Sequence, residues 1–148
     1  MILKGNIMDT KKIVFVTSLL AFGMSAWAGL KETKLYKEAD AELMKAVDHV
    51  NESCGIKLSA TVDHKSFKTT DFEKQSVGGY CGNALSGLAL VCEDADGKAA
   101  VKKLKKFNCK SGGTKREFKV TGDTFVFAVD FSAGNDESEA KKYLEENL

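Results

Sequence analysis

At 148 residues with a net charge of +1, the chain is long enough for one folded domain, and no global charge draws it to nucleic acid or to a membrane surface. Apolar residues make up 43% of it, too many for a disordered chain, and there are no repeats or low-complexity tracts.

The opening segment reads as a secretory signal. Lys11 and Lys12 give a positive start, Ile13 to Met24 a short apolar run, and Ala26-Trp27-Ala28 the small-x-small cleavage pattern before Gly29, with Met8 a second possible start. The run is short for a membrane span, and charged residues follow it at once, so residues 1–28 are expected to be cleaved. No cysteine lies at the cleavage point for lipid attachment. Residues 29–148 are then a single domain in the periplasm or outside the cell, with no integral membrane segment. Losing Lys4, Lys11, Lys12 and Asp9 leaves its charge near neutral.

From Tyr36 to Cys54 the positions Tyr36, Ala39, Leu43, Val47, Val50 and Cys54 recur at helical spacing, and Gly55 can close the helix in a left-handed conformation. Ile56, Leu58, Ala60 and Val62 alternate with polar residues, a half-buried strand. Lys65 to Gln75 is polar and reads as loop. Val77 to Cys92 is a second helix, rich in glycines that need tertiary support and would let another backbone approach, which places it centrally.

Asp94-Ala95-Asp96-Gly97 is a turn, and Lys98 to Asn108 reads as a third helix with Ala100, Val101, Leu104 and Phe107 inward. Gly122-Asp123 makes a tight β-hairpin in which Thr121 faces Thr124, Val120 faces Phe125 and Phe118 faces Phe127. Asp136 to Leu148 is the last helix, with Asp136 and Glu139 spaced as a capping box. The order is α-β-α-α-β-β-α: an α+β domain with helices packed on a small three-stranded antiparallel sheet.

All four cysteines lie after the signal, and an even number in an exported chain points to disulfides. Cys81 and Cys92 sit on one helix about 16 Å apart, beyond the roughly 7 Å that a bond allows. An antiparallel hairpin of helices turning near Ala95 brings Cys81 to Cys109, which leaves Cys54 with Cys92. Zinc is disfavoured because no two cysteines lie close together in sequence.

No residue set specifies a reaction, metal or cofactor. Gly79-Tyr80-Cys81-Gly82-Asn83-Ala84 has Ala84 where a papain-like signature would place its cysteine nucleophile. His49 reads as an exposed surface histidine. His64 continues the strand's apolar phase, with Asp63 beside it and Asp71 nearby, and is the one candidate general base. Asn51-Glu52-Ser53 matches a glycosylation sequon.

Lys102, Lys103, Lys105, Lys106, Lys110, Lys115 and Arg116 are the core of a basic concentration, which extends to Lys98 and Lys119. On the third helix these lysines form an outward patch fit for an anionic partner. No aromatics interleave with them, which counts against single-stranded nucleic acid. The expected function is a non-enzymatic binding module for another protein or an anionic envelope component. The alternatives are a small hydrolase using His64 with a carboxylate, and a structural envelope protein.

Overall fold

The computed structural model describes residues 11–148, with side chains from Trp27 onward. The chain divides into two units between Lys34 and Leu35. In the first, the described residues are helical, with Trp27 and Leu30 exposed. The expected signal peptide lies almost wholly outside the described side chains, and its cleavage position falls within helix α1 (Lys11–Cys54). Among the described residues no helix is long and apolar enough to cross a membrane.

The unit from Leu35 holds the sheet, both disulfides and the core. Its part of α1 buries Ala39, Leu43, Val47, Val50 and Cys54, the face that the spacing predicts. Gly55, at φ +64°, turns the chain out of the helix. Asn51 then guides it into strand β1 (Ser59–Val62): the Leu58 N–H donates to Asn51 Oδ1 at 2.7 Å, and Asn51 Nδ2 donates back to the Leu58 carbonyl at 3.3 Å.

The segment expected to be loop contains a 3-10 turn (His64–Ser66) and helix α2 (Thr69–Lys74). Phe67 and Phe72 are buried within it, so two aromatic rings anchor a stretch whose average composition is polar. Helix α3 (Val77–Val91) starts at Ser76, whose hydroxyl accepts the Gly79 N–H at 3.2 Å, and is the most deeply buried helix, as its glycines imply.

The third expected helix is only half right. Helix α4 (Ala95–Val101) is short, capped by Asp94 accepting the Gly97 N–H at 2.7 Å, and Lys106–Ser111 forms strand β2. Phe107 and Cys109 point inward while Lys106, Asn108 and Lys110 are exposed, an alternation of period two that the helical spacing of Val101, Leu104 and Phe107 masked.

Strand β3 (Glu117–Thr121) and strand β4 (Thr124–Val129) pair in the expected hairpin register through Thr121–Thr124, Val120–Phe125 and Phe118–Phe127, with Gly122 at φ +61° in the turn. The sheet is therefore four-stranded and mixed rather than three-stranded and antiparallel. Its order is β1-β2-β4-β3, with β1, β2 and β4 parallel.

Helix α5 (Asp136–Asn147) follows, burying Ala140 and Leu144. Its expected capping box does not form. Asn135 is the cap residue, in a left-handed conformation at φ 62°, and Asp136 is 3% exposed. Asp136 instead meets Arg116 Nη1 at 3.0 Å, and the same nitrogen donates to the Gly134 carbonyl at 2.6 Å.

Both expected disulfides are present: Cys54–Cys92 with Cα atoms 5.2 Å apart and Cys81–Cys109 at 5.8 Å. Cys54–Cys92 ties the end of α1 to the end of α3. Cys81–Cys109 joins α3 to the sheet, not to a third helix. Phe107, Cys109, Phe125, Phe127 and Val129 on the sheet meet Leu85, Leu88 and Leu144 from the helices in one core.

Candidate functional site

The helices of this unit cover one face of the sheet. On the other, the strand registers align three rows across β1, β2, β4 and β3: Ser59–Lys106–Thr124–Thr121, then Thr61–Asn108–Val126–Lys119, then Lys110–Ala128–Glu117 from β2 onward. Side chains alternate along each strand, so all of these lie on the uncovered face. Ser59, Thr61, Lys106, Asn108, Lys110, Glu117, Lys119 and Thr121 are exposed. Val126 is half-buried at the centre, and Ala128 is buried between its neighbours.

The face is thus polar, with three lysines, Glu117, a row of small hydroxyl and amide groups, and two aspartates at its ends: Asp63, which continues the β1 phase opposite Lys110, and Asp123, whose carboxylate accepts the Thr124 hydroxyl at 3.0 Å. Four residue steps at about 3.3 Å separate Lys106 from Lys110 by about 13 Å, and Lys119, two strands away, stands about 12 Å from each. The three Cα positions form a nearly equilateral triangle around Asn108 and Val126. Thr61 donates its hydroxyl to Asn108 Oδ1 at 2.9 Å, which fixes the amide and points its NH2 donors away from that bond.

The basic residues grouped by sequence do not share one surface. Lys102 and Lys103 follow α4, and Lys103 Nζ donates to the Leu148 carbonyl at 3.1 Å. Lys105 Nζ donates to the Lys102 carbonyl at 3.2 Å. Lys115 lies in the β2–β3 connection. Arg116 is a structural residue: it pairs with buried Asp136 and lies 5.7 Å over the Phe118 ring. Burial raises the Asp136 carboxyl above its usual value, against the pull of Arg116. Of the grouped residues, Lys106 and Lys110 are on the open face, where Lys119 joins them across β4.

His64 stands in the 3-10 turn just after β1, and its carboxylate partner is neither Asp63 nor Asp71. His64 Nε2 is 2.8 Å from Oδ1 of Asp40, on α1. The imidazole stacks on Tyr36, one helical turn before Asp40, with ring centres 4.4 Å apart and planes within 5°. Phe72 packs edge-on against Tyr36, and Phe67 against Phe72. His64 therefore clasps the segment after β1 to α1. Beside it lies a shallow concavity of about 190 Å³ lined by Asp40, Leu43, Met44 and β1. Thr61 is the one hydroxyl lining it, and that hydroxyl is engaged with Asn108.

Sequence reasoning missed Asp40 and Tyr36 because nothing local links α1 to residue 64. It also placed the lysines on a helix, although Lys106-Phe107-Asn108-Cys109-Lys110 already alternates as a strand. His49 is exposed, as expected, at the rim of a polar cleft of about 400 Å³ with Ser53, Ser86, Glu93, Lys98 and Glu137. Among the described residues no group of His, Cys, Asp or Glu is placed to hold a metal ion. In comparison with known proteins, no family, no curated protein and no solved structure matches this chain.

Proposed function

We propose that this chain is an exported, disulfide-held binding module that engages an anionic partner through the open face of its sheet, without catalysing a reaction. The observation that carries the reading is that face. Lys106, Lys110 and Lys119 stand around its centre, while its acids, Glu117, Asp63 and Asp123, lie at its ends. Export is supported by the Ala26-Trp27-Ala28 pattern and by two disulfides, which persist in oxidising compartments.

The test is capture of components from the organism's own cell envelope with the oxidised protein as bait. A variant carrying Lys106→Glu, Lys110→Glu and Lys119→Glu should lose its captured partner at an unchanged melting temperature. Equal capture by variant and wild type would sink the reading.

The His64–Asp40 pair supports a second, hydrolytic reading, in which Asp40 orients the imidazole and His64 Nδ1 takes a proton from water. It ranks second because the ring is stacked on Tyr36 and the neighbouring hydroxyl is engaged elsewhere. Hydrolysis of model esters or peptides that disappears in His64→Gln would favour it.

A further inference from the structure

Resting on the open face as the binding surface, we infer that its ligand is an anionic polysaccharide, a glycan bearing phosphate or carboxylate groups, rather than an acidic protein. The three lysines around its centre select an anion, with the acids kept to the ends of the face. Lys106, Lys110 and Lys119 stand about 12 to 13 Å apart, so they meet charges spaced along a polymer rather than one compact ion.

The groups between the lysines select the rest of the ligand. Thr121 carries a hydroxyl, those of Ser59, Thr61 and Thr124 donate within the protein and keep lone pairs to accept with, and Asn108, its oxygen held by Thr61, turns amide donors outward. Such groups pair with the ring hydroxyls of sugars between the charged positions.

Protein interfaces centre on aromatic, methionine and arginine anchors and are poor in lysine. Here the apolar groups on the face are Val126 and a covered Ala128. No aromatic ring lies on the face for nucleobases to stack on. A second copy of the same face would set lysine against lysine.

The experiment measures binding of the oxidised protein to four polymers: polygalacturonate (carboxylate glycan), a phosphomannan (phosphate glycan), poly-L-glutamate and neutral dextran. At least one charged glycan should bind about tenfold tighter than poly-L-glutamate. If each of the three lysines displaces one counterion, as on a single-stranded polyanion, raising salt from 50 to 200 mM weakens this binding roughly 15- to 20-fold.

The Lys106→Glu/Lys110→Glu/Lys119→Glu variant should lose this binding. Lys37→Glu/Lys45→Glu/Lys74→Glu, an equal charge change on the helices, should keep it. Asn108→Ala and Thr121→Val should each weaken glycan binding about 2- to 10-fold and leave poly-L-glutamate unaffected. Poly-L-glutamate binding as tightly as both glycans, still dependent on the three lysines, overturns the glycan assignment and leaves the open face standing. Binding that the three reversals do not change overturns the open face itself.

Discussion

Replacing Gly87 by alanine tests the packing at the centre of the domain. Gly87 lies within α3 where that helix meets α5, and a Cβ there would overlap the Glu137 carbonyl oxygen and come within 2.8 Å of Ala140 Cβ and 2.9 Å of Lys141 N. Two effects oppose each other. Helix propensity favours alanine by about 1 kcal/mol. Against it, the struck atoms belong to the backbone of α5, which must withdraw as a unit, so the cost lies in the upper part of the usual overpacking range, about 2–3 kcal/mol. The expected net effect is a loss of about 1–2 kcal/mol.

Gly82→Ala is the internal control. Its Cβ would meet only the Ala46 Cβ at 3.2 Å, which moves only with α1 but needs to give by no more than a few tenths of an ångström, so propensity offsets the contact and the variant should stay within about 1 kcal/mol of wild type. Gly78→Ala, overlapping the Ala39 carbonyl oxygen, should behave like Gly87→Ala. Urea unfolding of the oxidised variants measures all three, read as midpoint shifts at constant slope. A Gly87→Ala protein as stable as wild type, or Gly82→Ala falling as far as Gly87→Ala, would refute the claim that close approach of neighbouring helices sets these glycines.

Three further outcomes follow from particular contacts. The disulfides close loops spanning sequence separations of 38 and 28, and loop entropy gives each about 3.5–4 kcal/mol; replacing either pair by alanine should lower the urea midpoint accordingly, and an unchanged midpoint would contradict the loop account. Because burial raises the Asp136 carboxyl above its ordinary 3.8, the folded state binds that proton more readily than the unfolded chain, so this group's contribution to stability falls as pH rises through the window just above 3.8. Wild-type stability measured against Asp136→Asn should therefore decline as pH rises through and just above 3.8, and a difference that rises would reverse the assignment. Asn51 is half-buried, with both amide atoms engaged by Leu58, so Asn51→Ala should cost about 1–2 kcal/mol and speed hydrogen exchange at the Leu58 amide. The sequon at Asn51 should accordingly stay unmodified, which the intact mass of protein from a eukaryotic secretory host would check.

What was legible in the chain was local. The α1 face, the Gly55 closure, the Gly122 hairpin with its register and the central place of α3 all follow from periodicities or turn residues within one segment. What was not legible depends on distant pairing. Strand β2 finds β1 across some 47 positions, Ser59 opposite Lys106, and parallel pairing leaves no turn signature between them. The lysines of β2, good helix formers, reinforced the wrong period there. The same distance hid Asp40 from His64 and Asp136 from Arg116, whose partners lie 24 and 20 residues away. The candidate site followed suit: its lysines were visible as a concentration, but their common face exists only once β2, β4 and β3 are laid side by side.

The disulfide pairing shows why one inference outlived an error in the element beneath it. Excluding Cys81–Cys92 needs only that α3 be helical, and it is, from Val77 to Val91. A second helix of matching length is one way to bring Cys109 to Cys81, and the chain does not form it. What the bond requires is that the chain reverse after Cys92 and retrace about 16 Å along α3. A helix does this in eleven residues. The extended path from Leu104 to Cys109 does it in five, at about 3.3 Å each, while α4 takes up the remaining residues in the reversal. Because Cys109 lies on the inward phase of β2, its sulfur arrives beneath α3 rather than among the lysines of the open face. The pairing thus constrains path length and side, and two different secondary structures satisfy it.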